Sequence, residues 1–397
     1  MSKKLLITMT ASLAMTAAAF AADAPGVTAT EVKIGATYPF SGPASPLGAT
    51  GKATIAYINS VNDRGGVNGR KINYITYDDA YSPPKAVEHT RKLVESDEVA
   101  FLFGPLGTPA MAATIKYVNA KKVPHAFIVT GATKFTDIKE YPFTTTALPS
   151  YDTEGKIYAK YFRNQLPAAK VGILYQNDDL GKDFVTAFKA VYKEAFADKV
   201  TALAYEVSDP TVDSQIVNLK AAAPEALLIA GTPKFAAQAL RKINEMEWKP
   251  LIILNTVGAS IAATFVPVGL DKVTGVVSAA FFKDPADPKW KDDKGVQDYI
   301  AFFRKYLPGA DIADSNYTFG TQQGMILEQL LKQCGNDLSR ENILKQSKSF
   351  KDFVLPTALP GVRVNTSETS SQAYTQLQLQ RWNGKSWDQF GEVMKAD

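Results

Sequence analysis

The sequence predicts an α/β protein of two doubly wound lobes, with parallel strands alternating with helices. Three observations carry that expectation. From residue 32 onward, short apolar runs bounded by Gly, Pro or Asp alternate with stretches of helical periodicity, the order that a parallel sheet produces. This rhythm stops near residue 147 and restarts at about 150. The chain has 397 residues, more than one hydrophobic core usually organises.

The first residues stand apart from that pattern. Lys3 and Lys4 precede an apolar stretch from Leu5 to about Ala18, and Ala19-Phe20-Ala21 is a small-x-small cleavage signal before Ala22. Residues 1–21 therefore read as a secretory signal peptide, too short and too interrupted by Thr and Ser to span a membrane. No cysteine follows the cleavage point, so a lipid anchor there is excluded. Losing two lysines lowers the formal charge from +4 to +2. Such a near-neutral chain without a basic block gives no basis for nucleic-acid binding. The single cysteine, Cys334, can form no internal disulfide and falls on the apolar face of a helical pattern, where it reads as a small packing residue.

The elements follow in order. Val32–Thr37 is a strand, and Gly48–Val61 a helix carrying Ala53, Ile55, Ala56 and Ile58. The Gly-rich turn 65–69 leads to an alternating strand, Lys71–Tyr77, closed by Asp78-Asp79. A helix at Lys85–Ser96 precedes the strand Val99–Phe103. Gly104-Pro105-Leu106-Gly107 breaks that strand. Thr108-Pro109 then reads as a helix start, with a hydroxyl placed to cap and proline in the first turn. Ala126–Val129 is the next strand and ends in Thr130-Gly131-Ala132-Thr133, with a second hydroxyl at a turn. Both turns would lie at the carboxyl edge of one parallel sheet, where free N–H groups and hydroxyls suit an anion. The same residues would equally serve as ordinary strand–helix turns.

The second unit repeats the rhythm. Its helices are expected at Tyr151–Asn164, Asp183–Phe196, Gln215–Ala222 and Phe235–Met246. Its strands are expected at Lys170–Tyr175, Val200–Glu206, Ala226–Ala230 and Leu251–Leu254. After Phe281-Phe282 come helices at about Gln297–Tyr306 and Thr321–Gln333. Tyr374–Arg381 alternates as a strand before Trp382-Asn383-Gly384-Lys385, a turn of the kind that closes an antiparallel hairpin.

Catalytic and cofactor chemistry is not indicated. His89 and His125 have no partner at metal-ligand spacing. No nucleophile elbow occurs, and Pro46–Ala53 lacks the first glycine and the closing hydroxyl of a phosphate loop. Asp78 and Asp79, neighbours on a strand, face opposite ways and suit a turn better than paired acid–base work. We expect no enzyme, no metal and no cofactor.

The order VKIGATYPFSGPAS, then INSVNDRGGVNGRKINYITYDDAYSPPKAV, then FGPLGTPAMAA and PHAFIVTGAT resembles the periplasmic substrate-binding proteins of ABC importers, of the branched-chain amino acid type. The resemblance covers nearly all of the chain beyond the leader. It implies two lobes joined by three crossings, a type I periplasmic binding protein fold with the ligand in the cleft. Lobe 1 would comprise residues 29–147 and about 278–355, and lobe 2 residues 148–277 and about 356–397. It implies that Gly107 and Thr108, with Gly131, Ala132 and Thr133, hold a ligand carboxylate. Tyr38 and Tyr151 would face the cleft or pack at the hinge.

Two departures from the family pattern qualify this. Well-known members carry a disulfide where this chain has Tyr81 and Gly107. The amino-acid binders carry an aromatic residue and an acid where this chain has Thr232 and Thr256. The amine clamp is therefore absent from its usual place. The expectation is a periplasmic, monomeric binding protein that hands a small carboxylate to a membrane permease. The favoured ligand is an aromatic or apolar acid without an α-amine, with Tyr38, Tyr151, Phe281 and Phe282 as candidate ring surface, the Phe pair serving alternatively as core. A branched-chain amino acid binder and a ligand-sensing receptor subunit are the alternatives.

Overall fold

The computed structural model describes residues 24–395, and the expected signal peptide lies outside them. The first sheet holds β1 (Glu31–Tyr38), β2 (Lys71–Asp78), β3 (Phe101–Phe103), β4 (His125–Ile128) and β5 (Thr144–Thr146). It is wholly parallel, in the order β2-β1-β3-β4-β5. The helices α1 (Gly48–Asp63), α2 (Pro83–Glu95) and α3 (Thr108–Ala120) connect its strands. Runs such as Phe101-Leu102-Phe103 are apolar at every position because both faces of a parallel sheet are covered.

The second unit contains α4 (Tyr151–Gln165), β6 (Val171–Gln176), α5 (Asp179–Tyr192), α6 (Phe196–Lys199), β7 (Val200–Tyr205), α7 (Asp213–Ala221), β8 (Ala226–Ala230), α8 (Pro233–Glu245), β9 (Leu251–Leu254) and β10 (Val277–Ala280). After α9 (Lys294–Tyr306), α10 (Ser315–Cys334) and α11 (Arg340–Ser347), the chain returns as β11 (Gln376–Trp382) and β12 (Trp387–Lys395). The second sheet has the order β12-β11-β10-β9-β8-β6-β7. It is parallel from β7 to β10, and its edge is the antiparallel β11–β12 hairpin turned at Asn383-Gly384.

The chain crosses between sheets three times: from β5 into α4, from β10 towards α9, and from about residue 373 into β11. Helix α10 belongs with the first lobe because Gly320 and Gly324 let it lie directly on α1. A Cβ on Gly320 would stand 2.1 Å from the Thr50 carbonyl oxygen, and Thr54 Oγ1 donates to the Gly320 carbonyl at 3.0 Å. Helix α11 is tied to the same lobe by Arg340, whose guanidinium donates to the Ala100 and Val99 carbonyls. Segment 350–372 also stays there, with Thr146 N–H donating to the Ser371 carbonyl at 2.9 Å. The second sheet is thus rejoined at Gln376, within the strand expected at Tyr374–Arg381, whereas the lobe boundary implied by the resemblance placed the return near 356.

Most expected elements are present with ends shifted by a few residues. The helix expected from Asp183 starts at Asp179, because the Asp178 carboxylate caps it by accepting from Leu180 N–H at 2.9 Å. Four elements were not expected from the sequence: β5 reads Thr-Thr-Thr, α6 is a single turn, β10 reads Val-Ser-Ala-Ala, and α11 is short and polar. Cys334 and His125 are buried, and His89 stacks on Tyr77.

Candidate functional site

In both lobes the parallel strands end towards one cleft, which encloses about 970 Å³ of space, part of it open to solvent. Its walls are the turns that follow strands, as expected for ligand sites in wound sheets. Leu106 and Thr108 follow β3, Val129 follows β4, Leu148 follows β5, Leu180 follows β6, and Val257 and Ile261 follow β9. Phe281 and Phe282 enter from the second crossing, Phe319 from α10 and Trp387 from the hairpin. Phe281 stands edge-on to Phe282 and Phe319 at centroid distances of 4.8 and 5.8 Å, an aromatic wall already packed in place. The polar lining is sparse: Thr50, Thr108, Thr256, Asp284, Ser315, Asn316 and Gln380, with Tyr81 and Tyr151. No Lys, Arg or His is among the lining residues.

Of the residues picked from the sequence, the structure brings Gly107, Thr108, Tyr151 and Thr256 to this cleft. Thr108 is not the helix cap expected of it. Gly107 holds the N-cap position with φ of 122°, and Thr108 Oγ1 is instead 2.8 Å from Thr130 Oγ1. The hydroxyl therefore joins the two turns rather than closing its own helix. Tyr151 opens α4, where Ser150 Oγ caps by accepting from Thr153 N–H at 3.2 Å. Its ring stacks on Phe184 and covers Gly131 so closely that a Cβ there would be 2.7 Å from the ring and 2.5 Å from the Pro149 carbonyl oxygen. Burial pushes the Tyr151 hydroxyl up to about 12, opposed by the Gly131 backbone and the Thr108 and Thr130 hydroxyls around it. A tyrosine hydroxyl thus stands among the groups that the resemblance assigned to a ligand carboxylate.

The remaining residues lie outside the lining. Tyr38 is wholly buried. Its hydroxyl is 2.8 Å from that of Tyr74, which itself donates to the Phe103 carbonyl at 2.9 Å, so Tyr38 is the donor of the pair. Ala132 is buried and its N–H donates to Thr130 Oγ1. Thr133 N–H donates to the Asp183 carboxylate of the other lobe at 2.7 Å. A carboxylate does stand on that turn, and it belongs to the chain. Thr232 is buried at the start of α8, with its hydroxyl unpaired.

Two acids beside the site carried no motif. Glu154, on α4, is completely buried. Its Oε1 accepts from Thr256 N–H at 2.6 Å and from Tyr158 OH at 2.8 Å, and its Oε2 accepts from Thr256 Oγ1 at 3.0 Å. Burial raises its pKa to about 7, against the lowering effect of those donors. Asp284 follows the aromatic pair and lines the cleft, and burial raises it to about 6 while the Ala286 N–H opposes. Glu154 could have been noticed: it falls three residues after Tyr151 and four before Tyr158, an acid on the apolar face of a helix. Asp284 lies in an irregular segment and had no comparable signal.

The Tyr81 and Gly107 departure also has a structural explanation. The Tyr81 ring packs on Gly107, where a Cβ would lie 3.0 Å from it. An aromatic–glycine contact occupies the place that a disulfide has in the resembled family.

A family model described as periplasmic binding protein matches residues 31–386. The Leu/Ile/Val-binding protein homolog 7 of Brucella abortus is 25% identical over 354 residues, which is 86% of this chain and 86% of that protein. A branched-chain amino acid ABC transporter structure from Thermus thermophilus with bound valine matches with a TM-score of 0.82 at 16% identity, covering 93% of this chain and 97% of that one. A fatty acid ABC transporter substrate-binding protein from Thermomonospora curvata matches with a TM-score of 0.77 at 19% identity, covering 95% of each chain. At these identities the two structural likenesses establish the fold.

Proposed function

The chain belongs to the periplasmic binding protein family, and from that premise we propose that it is the solute-binding component of an ABC importer, taking a small, largely apolar carboxylic acid that lacks an α-amine. The observation that carries this reading is a cleft lined by Phe281, Phe282, Phe319 and Trp387 together with Leu106, Leu148, Leu180 and Ile261, with few polar groups. Burying a ligand's apolar body there gains roughly 25 cal/mol per Å² of surface removed from water. Thr108 and Tyr151 offer neutral donors to the carboxylate end, beside Gly107. Thr256 has spent its N–H and hydroxyl on Glu154, and its contribution is the wall itself. Closure of the lobes over the ligand would present the surface that a permease recognises, with no chemical step. The leader read at residues 1–21 would deliver the chain to the periplasm as a monomer.

Asp284 favours a second reading. It is the one carboxylate in the lining, and it could meet an ammonium, which would suit a branched-chain amino acid. Calorimetry separates the two. The protein is titrated with leucine, isoleucine and valine, then with benzoate- and phenylpropanoid-type acids and medium-chain fatty acids. The expected outcome is saturable binding in the second set only. Tight leucine binding that is lost in Asp284→Asn, with no response to the other acids, would establish the amino-acid reading instead.

A further inference from the structure

Tyr81 follows β2 in the first lobe, yet it is only 5% exposed and its hydroxyl meets a residue of the second lobe. It accepts from Gln176 Nε2 at 3.4 Å. Gln176 is itself completely buried and held from within its own lobe. Its Nε2 also donates to Asp178 Oδ2 at 2.6 Å, and its Oε1 accepts from Tyr205 OH at 3.2 Å. Two of its amide's bonding positions are therefore filled from its own lobe, and its second N–H points at Tyr81. The arrangement is a receptor prepared in one lobe for a hydroxyl brought by the other.

The backbone on the first-lobe side is also committed. Ala80 and Tyr81 both have positive φ, at 50° and 60°, a left-handed conformation unfavourable for residues with a Cβ. The Asp79 carboxylate holds this turn by accepting from Tyr81 N–H at 2.8 Å. The ring then rests on Gly107 and forms part of the cleft wall. When the lobes separate, the Gln176 N–H loses its acceptor.

We propose that Tyr81 is a latch that holds the two lobes closed across the cleft, with Gln176 as its receptor. The latch favours closure before any ligand is bound, because both partners are supplied by the protein. It joins an outer strand of the first sheet, β2, to β6 of the second, which β8 and β9 separate from the crossing strand β10.

The test uses ligand-free protein, so it stands whether or not the proposed ligand class is correct. Spin labels on Lys85→Cys and Ser208→Cys, both exposed, report the lobe separation by pulsed electron–electron distance measurement, since Cys334 is buried. Tyr81→Phe removes the hydroxyl alone and should lower the closed-to-open ratio roughly two- to tenfold. Tyr81→Ala should lower it further, and urea melts of each variant verify folding. In a Gln176→Ala background, Tyr81→Phe should have no further effect. The proposal is overturned by a parent protein with no closed population, by a Tyr81→Phe distribution that superimposes on the parent's, or by an undiminished effect in the Gln176→Ala background.

Discussion

Replacing Glu154 by Gln should change how stability depends on pH, and the structure sets the direction and size. In the folded chain burial raises the Glu154 pKa to about 7, from 4.5 when unperturbed. Between those values the folded protein keeps a proton at Glu154 that the unfolded chain has released. Stability from this group is therefore fully present below about pH 4.5 and is lost as pH rises through 7. A shift of that size corresponds to about 3 kcal/mol of folding free energy across the window. The amide can replace the protonated acid with little rearrangement. Its carbonyl oxygen can take the place of Oε1, accepting from Thr256 N–H and Tyr158 OH, and its NH₂ can donate to Thr256 Oγ1. Glu154→Gln should then match the parent near pH 4 and exceed it by up to about 3 kcal/mol at pH 8. Urea denaturation of both proteins from pH 4 to 8 measures this. Asp79, Asp178 and Asp284, each raised to about 6 by burial, add slope to both curves and cancel in the difference. A difference that is flat with pH, or that grows towards acid, would refute the reasoning.

Two further outcomes follow from the cleft. Thr108→Val should weaken binding of the identified ligand by roughly ten- to a hundredfold, since a bond to a charged group is worth about 1.5–3 kcal/mol. Thr133→Val, outside the lining, should leave affinity within about twofold, and calorimetry showing equal losses in both would return the carboxylate to the Thr133 turn. Gly131→Ala should lower stability by about 1–3 kcal/mol, because its Cβ would meet a backbone carbonyl as well as the Tyr151 ring. An unchanged denaturant midpoint would show that this turn can move.

The sequence by itself determined the frame of this protein. Unbroken apolar runs such as Ala226–Ala230, alternating with helical stretches, suit strands covered on both faces of a parallel sheet. Thr108-Pro109 marked a helix start, and Asn383-Gly384 marked the closing hairpin. These signals are local, arising from backbone preference and periodicity along the chain. The turns that face the cleft were legible for the same reason, as Gly107, Thr108 and Thr256 lie at strand ends. What the side chains do there was decided by tertiary structure. Thr108 bonds to Thr130 instead of capping, Tyr151 stands over Gly131, and Asp183 of one lobe takes the Thr133 N–H of the other. The sequence places a neutral Thr256 after β9, yet Glu154 lies directly behind it and Asp284 stands in the same cleft. Each of these facts depends on which groups meet across 20 to 100 residues of chain. A donor is spent or free, and a carboxylate charged or neutral, according to neighbours that only the folded chain supplies.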